Sequence, residues 1–362
     1  MGLFSSKARL MRRVFAPVAV VLLLAATGAA QPPAVRIEAT DRQKVNATLT
    51  YELRTTNFAA TKWMIFLPEP PELPSQGKVK TTANPAGKLL TEKSLLGRKV
   101  RYVEIAVGKP TPGAGASMKM DVEAVLRSRR LVALKDGETP PAVAPLAAAE
   151  RKYYLSATTR LDHDARAFQD WLDAKKLRRT KAEGPLDFAA RVLEVIRADY
   201  TYRFGPDEDK RASVACAANR TDCGGMAYLF AAAMRANDAP ARVLVGRLAL
   251  PREPGTDRSQ LEYDRPHIRA EVFVTGVGWV PVDPANAHSG KSKPVTAFVG
   301  HDPGDLLVLH LDVDLRLPFP DKEREAQFLQ VGPSYWATGT GKFDGQYGPT
   351  GWDLKAAVIE KK

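Results

Sequence analysis

A thiol, an imidazole and a carboxylate stand in this chain at Cys223, His267 and Asp283. Together they are the parts of a nucleophilic acyl-transfer site. A thiolate attacks a carbonyl carbon, the imidazole takes a proton and returns it to the leaving group, and the carboxylate fixes the ring and supports its charged form. The surroundings of Cys223 sharpen this reading. Met226, Leu229, Phe230, Ala233 and Met234 recur at helical spacing, which places the thiol at a helix N-terminus. Unpaired N–H groups and the helix macrodipole favour a thiolate there. Asp222 is of the type that accepts hydrogen bonds from a first helical turn, and Gly224 and Gly225 leave room for a substrate backbone. Asn237-Asp238-Ala239-Pro240 marks the helix end, and Arg242 to Gly246 reads as a short strand.

The segment from His267 to Val274 alternates. As a strand it presents His267, Arg269, Glu271 and Phe273 on one face and apolar Ile268, Ala270, Val272 and Val274 on the other. A turn at Gly276-Val277-Gly278 leads into Trp279-Val280-Pro281-Val282-Asp283-Pro284. Antiparallel pairing of these strands brings Asp283 beside His267. The site also needs donors for an oxyanion. The backbone N–H of Cys223 is one. Asn219, Tyr200 and Tyr202 are candidates for the second, with Tyr202 preferred; a Tyr ring packed on the Cys helix is the competing reading.

The stretch from about Leu186 to Pro284 resembles the transglutaminase-like core, a papain-like cysteine fold. The resemblance rests on Thr221-Asp222-Cys223, Asp238-Ala239-Pro240-Ala241-Arg242, His267-Ile268-Arg269-Ala270-Glu271 and Trp279 through Pro284. It implies Cys223 as nucleophile, His267 as base and Asp283 as the orienting carboxylate, with Trp279 at the cleft. Three departures stand out: Thr221 where Gly is usual, Asn237-Asp238 before the turn where a small residue is usual, and Arg269 where Trp is usual. Arg269, two residues from His267, is expected either to select an acidic or carboxyl-bearing substrate or to lie solvated on the strand rim.

Around the site, the expected fold class is α+β: a papain-like transglutaminase core of helices and antiparallel sheet, preceded by a β-sandwich domain. Residues 31–135 form that first domain. Val45, Ala47, Leu49, Tyr51 and Leu53 alternate with polar residues, as do Met118, Met120, Val122, Ala124 and Leu126. Trp63 to Leu67 and Val100 to Val107 are further strands, and Lys78 to Lys99 reads as a hairpin or loop. Pro140, Pro141 and Pro145 mark a linker at 136–150. The catalytic domain spans 151–330. Its helices run from about Asp162 to Lys176 and from Pro185 to Tyr200, and Leu306 to Leu317 forms a strand that completes its sheet. Residues 331–362 read as a turn-rich extension. Asp312 and Asp314, and the charge run Glu208 to Arg211, read as solvated.

The first 30 residues carry Lys7, Arg9, Arg12 and Arg13, an apolar run from Val14 to Ala26, then small residues. This is the pattern of a secretory signal peptide, and the run is short for a membrane span. The expected address is therefore periplasmic or extracellular, with an uncleaved signal anchor as the alternative. Without this segment the chain has 49 Lys and Arg against 41 Asp and Glu, a mildly basic balance. No basic stripe with interleaved aromatics appears, so nucleic acid is not an expected partner. The expected partner is a protein or peptide substrate. Two cysteines and five histidines show no zinc spacing, and the chemistry needs no cofactor. A Cys216–Cys223 disulfide competes with a reactive Cys223.

Overall fold

The structure is a computed structural model that describes residues 34–205, 208–249, 266–319, 322–344, 346–347 and 351–359. The signal-like segment and the loop from Pro251 to Arg265 lie outside the described residues. All described residues fall within one compact unit, Pro33–Lys362.

The period-two segments form strands. They are β1 (Val35–Arg54), β2 (Phe58–Pro68), β3 (Gln76–Asn84), β4 (Lys88–Thr91), β5 (Lys99–Ala106) and β6 (Ala116–Ala133). Along β1 and β6 the apolar residues at alternate positions are buried and their neighbours are mostly exposed, as one-faced burial requires. β1 and β6 pair over nearly their whole length, and β2 pairs with β5 in a second antiparallel sheet. Leu49, Leu53, Trp63, Ile65, Val103, Met120 and Val122 share one core between them. The segment Lys78 to Lys99 is not a hairpin: β3 joins β6 and β4 joins β5, so its two strands belong to different sheets.

The helices are α1 (Ala148–Tyr153), α2 (Arg166–Ala174), α3 (Pro185–Asp199), α4 (Ala212–Ala218) and α5 (Cys223–Arg235). α2 starts later than its apolar spacing suggests, with Ala165 at its N-cap and no side-chain cap bond. α3 starts on Pro185, a residue preset for a first helical position. Two short strands, β7 (Thr201–Tyr202) and β8 (Arg220–Thr221), pair in parallel just before α5. Then come β9 (Ala241–Leu248), β10 (Pro266–Val274), β11 (Gly278–Val282) and the short α6 (Pro284–Ser289). α5 is apolar on all sides and fully buried, packed chiefly against β10, β9 and α3.

After β12 (His301–Asp302), β13 (Leu306–Leu311) completes a third sheet in the order β11-β10-β9-β13. The strand expected from Leu306 to Leu317 is shorter. Leu307 and Leu309 face the core of the first two sheets, while Leu306 and Val308 pack with Leu244 on the other side. A strand buried on both faces has no solvent face to create alternation. Asp312 and Asp314 adopt φ of 53° and 60°, and the chain resumes as β14 (Leu315–Pro318), paired with β15 (Glu323–Ala326). The segment read as turn-rich holds β16 (Ser334–Gly341), β17 (Gln346–Tyr347) and β18 (Gly351–Val358). β16 pairs with β2, and β17 and β18 pair with β1. β12 pairs with β6. The last third of the chain is thus stitched into the first.

Candidate active site

Cys223 opens α5. Asp222 caps the helix, its Oδ1 accepting from the backbone N–H of Gly224 at 3.0 Å and of Gly225 at 3.2 Å. Its Oδ2 pairs with Lys210 Nζ at 2.8 Å. Lys210 sits inside the charge run read as solvated, yet it is buried. Nothing local distinguishes it from its charged neighbours; the carboxylate it finds comes from another element. Thr221 also gains an explanation. A Cβ on Gly225 would lie 1.8 Å from Thr221 Oγ1, so Gly225 is glycine to accommodate Thr221. Gly224 alone of the two lines the cleft.

His267 and Asp283 meet as the strand pairing requires. The β10–β11 register sets Ala270 opposite Val282, and Asp283 follows directly. His267 Nε2 and Asp283 Oδ2 are 2.9 Å apart, both residues buried. Cys223 lies beside the same ring. Burial disfavours the imidazolium, but the Asp283 carboxylate and the Cys223 sulfur outweigh it and push the ring's pKa up to about 10. Burial likewise opposes ionisation of Asp283. Its charge and hydrogen bonds with His267, then Arg269 and the Asn286 N–H, hold it well below the usual carboxylate range.

Asp283 belongs to a buried ionic cluster. Arg269 Nε donates to Asp283 Oδ2 at 2.8 Å, and its other nitrogens reach Asp302 Oδ1 at 3.2 Å and Asp305 Oδ1 at 2.6 Å. Arg129 pairs with Asp302 at 3.0 Å and with Glu271 at 2.6 Å. Arg242 pairs with the other oxygen of Glu271 at 2.6 Å. Among the described residues, three guanidinium groups face four carboxylates. A protonated His267 brings this cluster to neutrality.

Two cleft expectations are corrected. Arg269 is neither a substrate contact nor a solvated rim residue: it is 2% exposed, with its guanidinium directed at three carboxylates. The sheet face that carries His267 is covered by β12 and the segment after it, and a strand seen alone cannot show that cover. Trp279 pairs with Phe273 at the far end of β10 from His267. There it packs against Tyr154 and under the Arg242 guanidinium, 4.1 Å from the ring centroid.

Of the three oxyanion candidates, the structure brings only Tyr202 to Cys223. Its phenol lies in hydrogen-bond reach of both the thiol and the backbone N–H. Tyr202 is exposed, yet its partial desolvation beside the Cys223 and Asp222 charges raises the pKa of the phenol and keeps it protonated. Asn219 is instead exposed, with φ of 51°, and ends α4 in the left-handed conformation. Tyr200 donates its hydroxyl to the Cys216 carbonyl at 3.1 Å. Both cysteines are free; the Cys216 thiol bonds to the Ser213 carbonyl at 3.2 Å, and burial pushes its pKa up to about 11.

Cys223 lies in a cleft of about 530 Å³. One wall comes from the helical half, with Phe204, Lys210 and Gly224. The other comes from the sheets, with Tyr51 on β1, Tyr335 on β16 and Trp352 on β18.

Residues 174–284 match the sequence model of the transglutaminase-like superfamily, and this stretch is a transglutaminase-like domain. A crystal structure of a candidate cysteine protease from Cytophaga hutchinsonii is similar in fold at 13% identity, with a TM-score of 0.56, over 90% of this chain and 94% of that one. The periplasmic domain of TgpA from Pseudomonas aeruginosa matches over 70% of this chain and 95% of its own, at 13% identity and a TM-score of 0.36. A search of curated proteins finds no significant match. No helix among the described residues is long and apolar enough to cross a membrane.

Proposed function

We propose that this protein is an exported cysteine enzyme that acts on amide bonds of proteins or peptides through a thioester on Cys223. The observation that carries the reading is the buried His267–Asp283 pair at 2.9 Å, with Cys223, which lines a cleft, against the same ring. Export rests on the signal-like character of the first 30 residues.

The chemistry follows from the proton positions. With the ring's pKa near 10, His267 carries a proton at neutral pH and offsets the negative charge of the sulfur when it attacks. The sulfur attacks the amide carbonyl carbon, forming a C–S bond. The carbonyl oxygen becomes an oxyanion, for which we assign the Cys223 backbone N–H and the Tyr202 hydroxyl as donors; the nearness of Tyr202 to Cys223 supports this. His267 gives its proton to the amide nitrogen, the C–N bond breaks and the amine or ammonia leaves. Water or a second amine, deprotonated by the now neutral ring, attacks the thioester and restores the thiol. Asp283 keeps the ring oriented and offsets its charge throughout.

Cleavage within a peptide backbone is the second reading, favoured by the fold shared with the Cytophaga hutchinsonii structure and its cysteine-protease description. Incubation of the mature protein with a peptide library, with and without a primary amine, separates the outcomes by mass. Deamidation, amine incorporation and chain cleavage give three different mass changes. No change in any peptide, with Cys223 no more reactive than a free thiol, would remove the enzymatic reading.

A further inference from the structure

Arg269 and His267 share a face of β10, two residues apart, and both reach the same oxygen of Asp283. Asn286 closes the other side, its Nδ2 donating to Oδ2 at 2.9 Å and its backbone N–H to Oδ1 at 3.0 Å. A carboxylate held from these directions has little freedom to turn. The guanidinium is itself fixed by Asp302 and Asp305. Asp302 is gripped through its second oxygen by Arg129 Nε at 3.2 Å and Nη2 at 3.0 Å. Arg129 lies on β6, in the first sheet, and is 1% exposed.

We propose that Arg269 is the positioning residue of Asp283, and that Asp302 and Arg129 anchor it to the first sheet, so that the sheet region sets the geometry of the site. This rests on the reading of Cys223, His267 and Asp283 as a catalytic triad. The planar fork of Arg suits the task because three nitrogens in one plane fix three carboxylates at once, which a lysine ammonium on a flexible stem does not. The packing agrees: β12, which supplies Asp302, pairs with β6 directly opposite Arg129. A network that only held the sheets together would have no need to end on the oxygen that holds His267.

The test uses the full chain and three variants: Arg269→Lys, Asp302→Asn and Arg129→Lys. Two quantities are read, each normalised to the folded fraction from circular dichroism. One is the rate of alkylation of Cys223 by iodoacetamide at pH 7, located by peptide mass. The other is kcat and KM on a peptide substrate found in the library screen. Because misplacement of a catalytic group by about 1 Å costs on the order of a hundredfold, Arg269→Lys is expected to lower kcat about 10- to 100-fold at unchanged KM. Alkylation should slow by about tenfold, and Asp302→Asn and Arg129→Lys should follow with losses of about three- to tenfold in the same pattern. A kcat for Arg269→Lys within about twofold of the parent, or a fall matched by KM, overturns the proposal. Should that variant fail to fold, Asp302→Asn decides alone by the same criterion. If Cys223 of the unaltered protein reacts no faster than a free thiol, the triad reading itself fails. If it reacts fast and the variants match it, only the role of Arg269 fails.

Discussion

Two buried histidines in this protein sit in two buried ionic clusters, and their protons behave in opposite ways. His267 touches Asp283 directly, and its pKa is pushed up to about 10. His310 bonds through Nδ1 to the Asp312 carbonyl and through Nε2 to the Leu329 N–H. Burial and the nearby Arg98 charge push its pKa down to about 3. Around it, Arg235 pairs with Asp312 at 2.5 Å, and Arg98 pairs with Glu92 at 3.1 Å while donating to the carbonyls of Leu311, Val313 and Asp314. Asp312 and Asp314, expected on a solvated face, are buried there. Both clusters are buried networks of paired charges. The first cluster meets Cys223, which lines a cleft. A buried ion network by itself therefore says little about function. The informative feature is a group whose proton can move, placed where a substrate can reach it.

The largest effect that tests this contrast is at the thiol. Cys223→Ala should abolish measurable turnover while the thermal melt stays near that of the parent, since the change removes one atom at a helix start. Retained turnover would place the chemistry elsewhere. Next, Asp283→Asn should lower the rate by about 10²- to 10⁴-fold and leave a residual, because the amide still holds the ring but no longer offsets its charge. An effect below about threefold would mean that another group orients His267.

The second cluster should answer in stability, not in rate. Asp312→Ala leaves Arg235 buried without its carboxylate and should cost about 3–5 kcal/mol, read from the urea midpoint. Activity per folded molecule should stay near that of the parent. A specific loss of kcat would erase the distinction between the clusters.

The smallest effect is the pH dependence of stability, and its sign differs between the two histidines. The folded pKa of His267 lies above the ordinary histidine value of 6.5, so its contribution is fully present below that pH and is lost as pH rises toward about 10. The folded pKa of His310 lies below 6.5, so its contribution is present above that pH and is lost as pH falls toward about 3. Urea unfolding at a series of pH values should show His267→Gln flattening the alkaline side and His310→Gln flattening the acid side. Slopes that change on the same side in both variants would contradict the assignment.

Much of this was legible in the chain because it is local. The period of two along Val45 to Leu53 and along Met118 to Leu126 follows from a strand with one buried face. The helix that opens at Cys223 follows from apolar spacing, a capping Asp222 and a stop at Asp238 to Pro240. The alternation of β10 and the short turn before β11 set the register, and the register carries Asp283 to His267. These are relations between neighbours in sequence, with side chains alternating at fixed rise, and the type and order of residues suffice to determine them. What only the tertiary structure decided is what covers each face. Arg269, Lys210 and Asp312 look from their neighbours like solvated charges, and each is buried against an opposite charge from a distant segment. The final strands looked like turns until β1 and β2 gave their backbone groups partners. A charged side chain carries no local mark of whether its counter-ion will arrive, because burial of a charge depends on a partner that only the folded chain supplies.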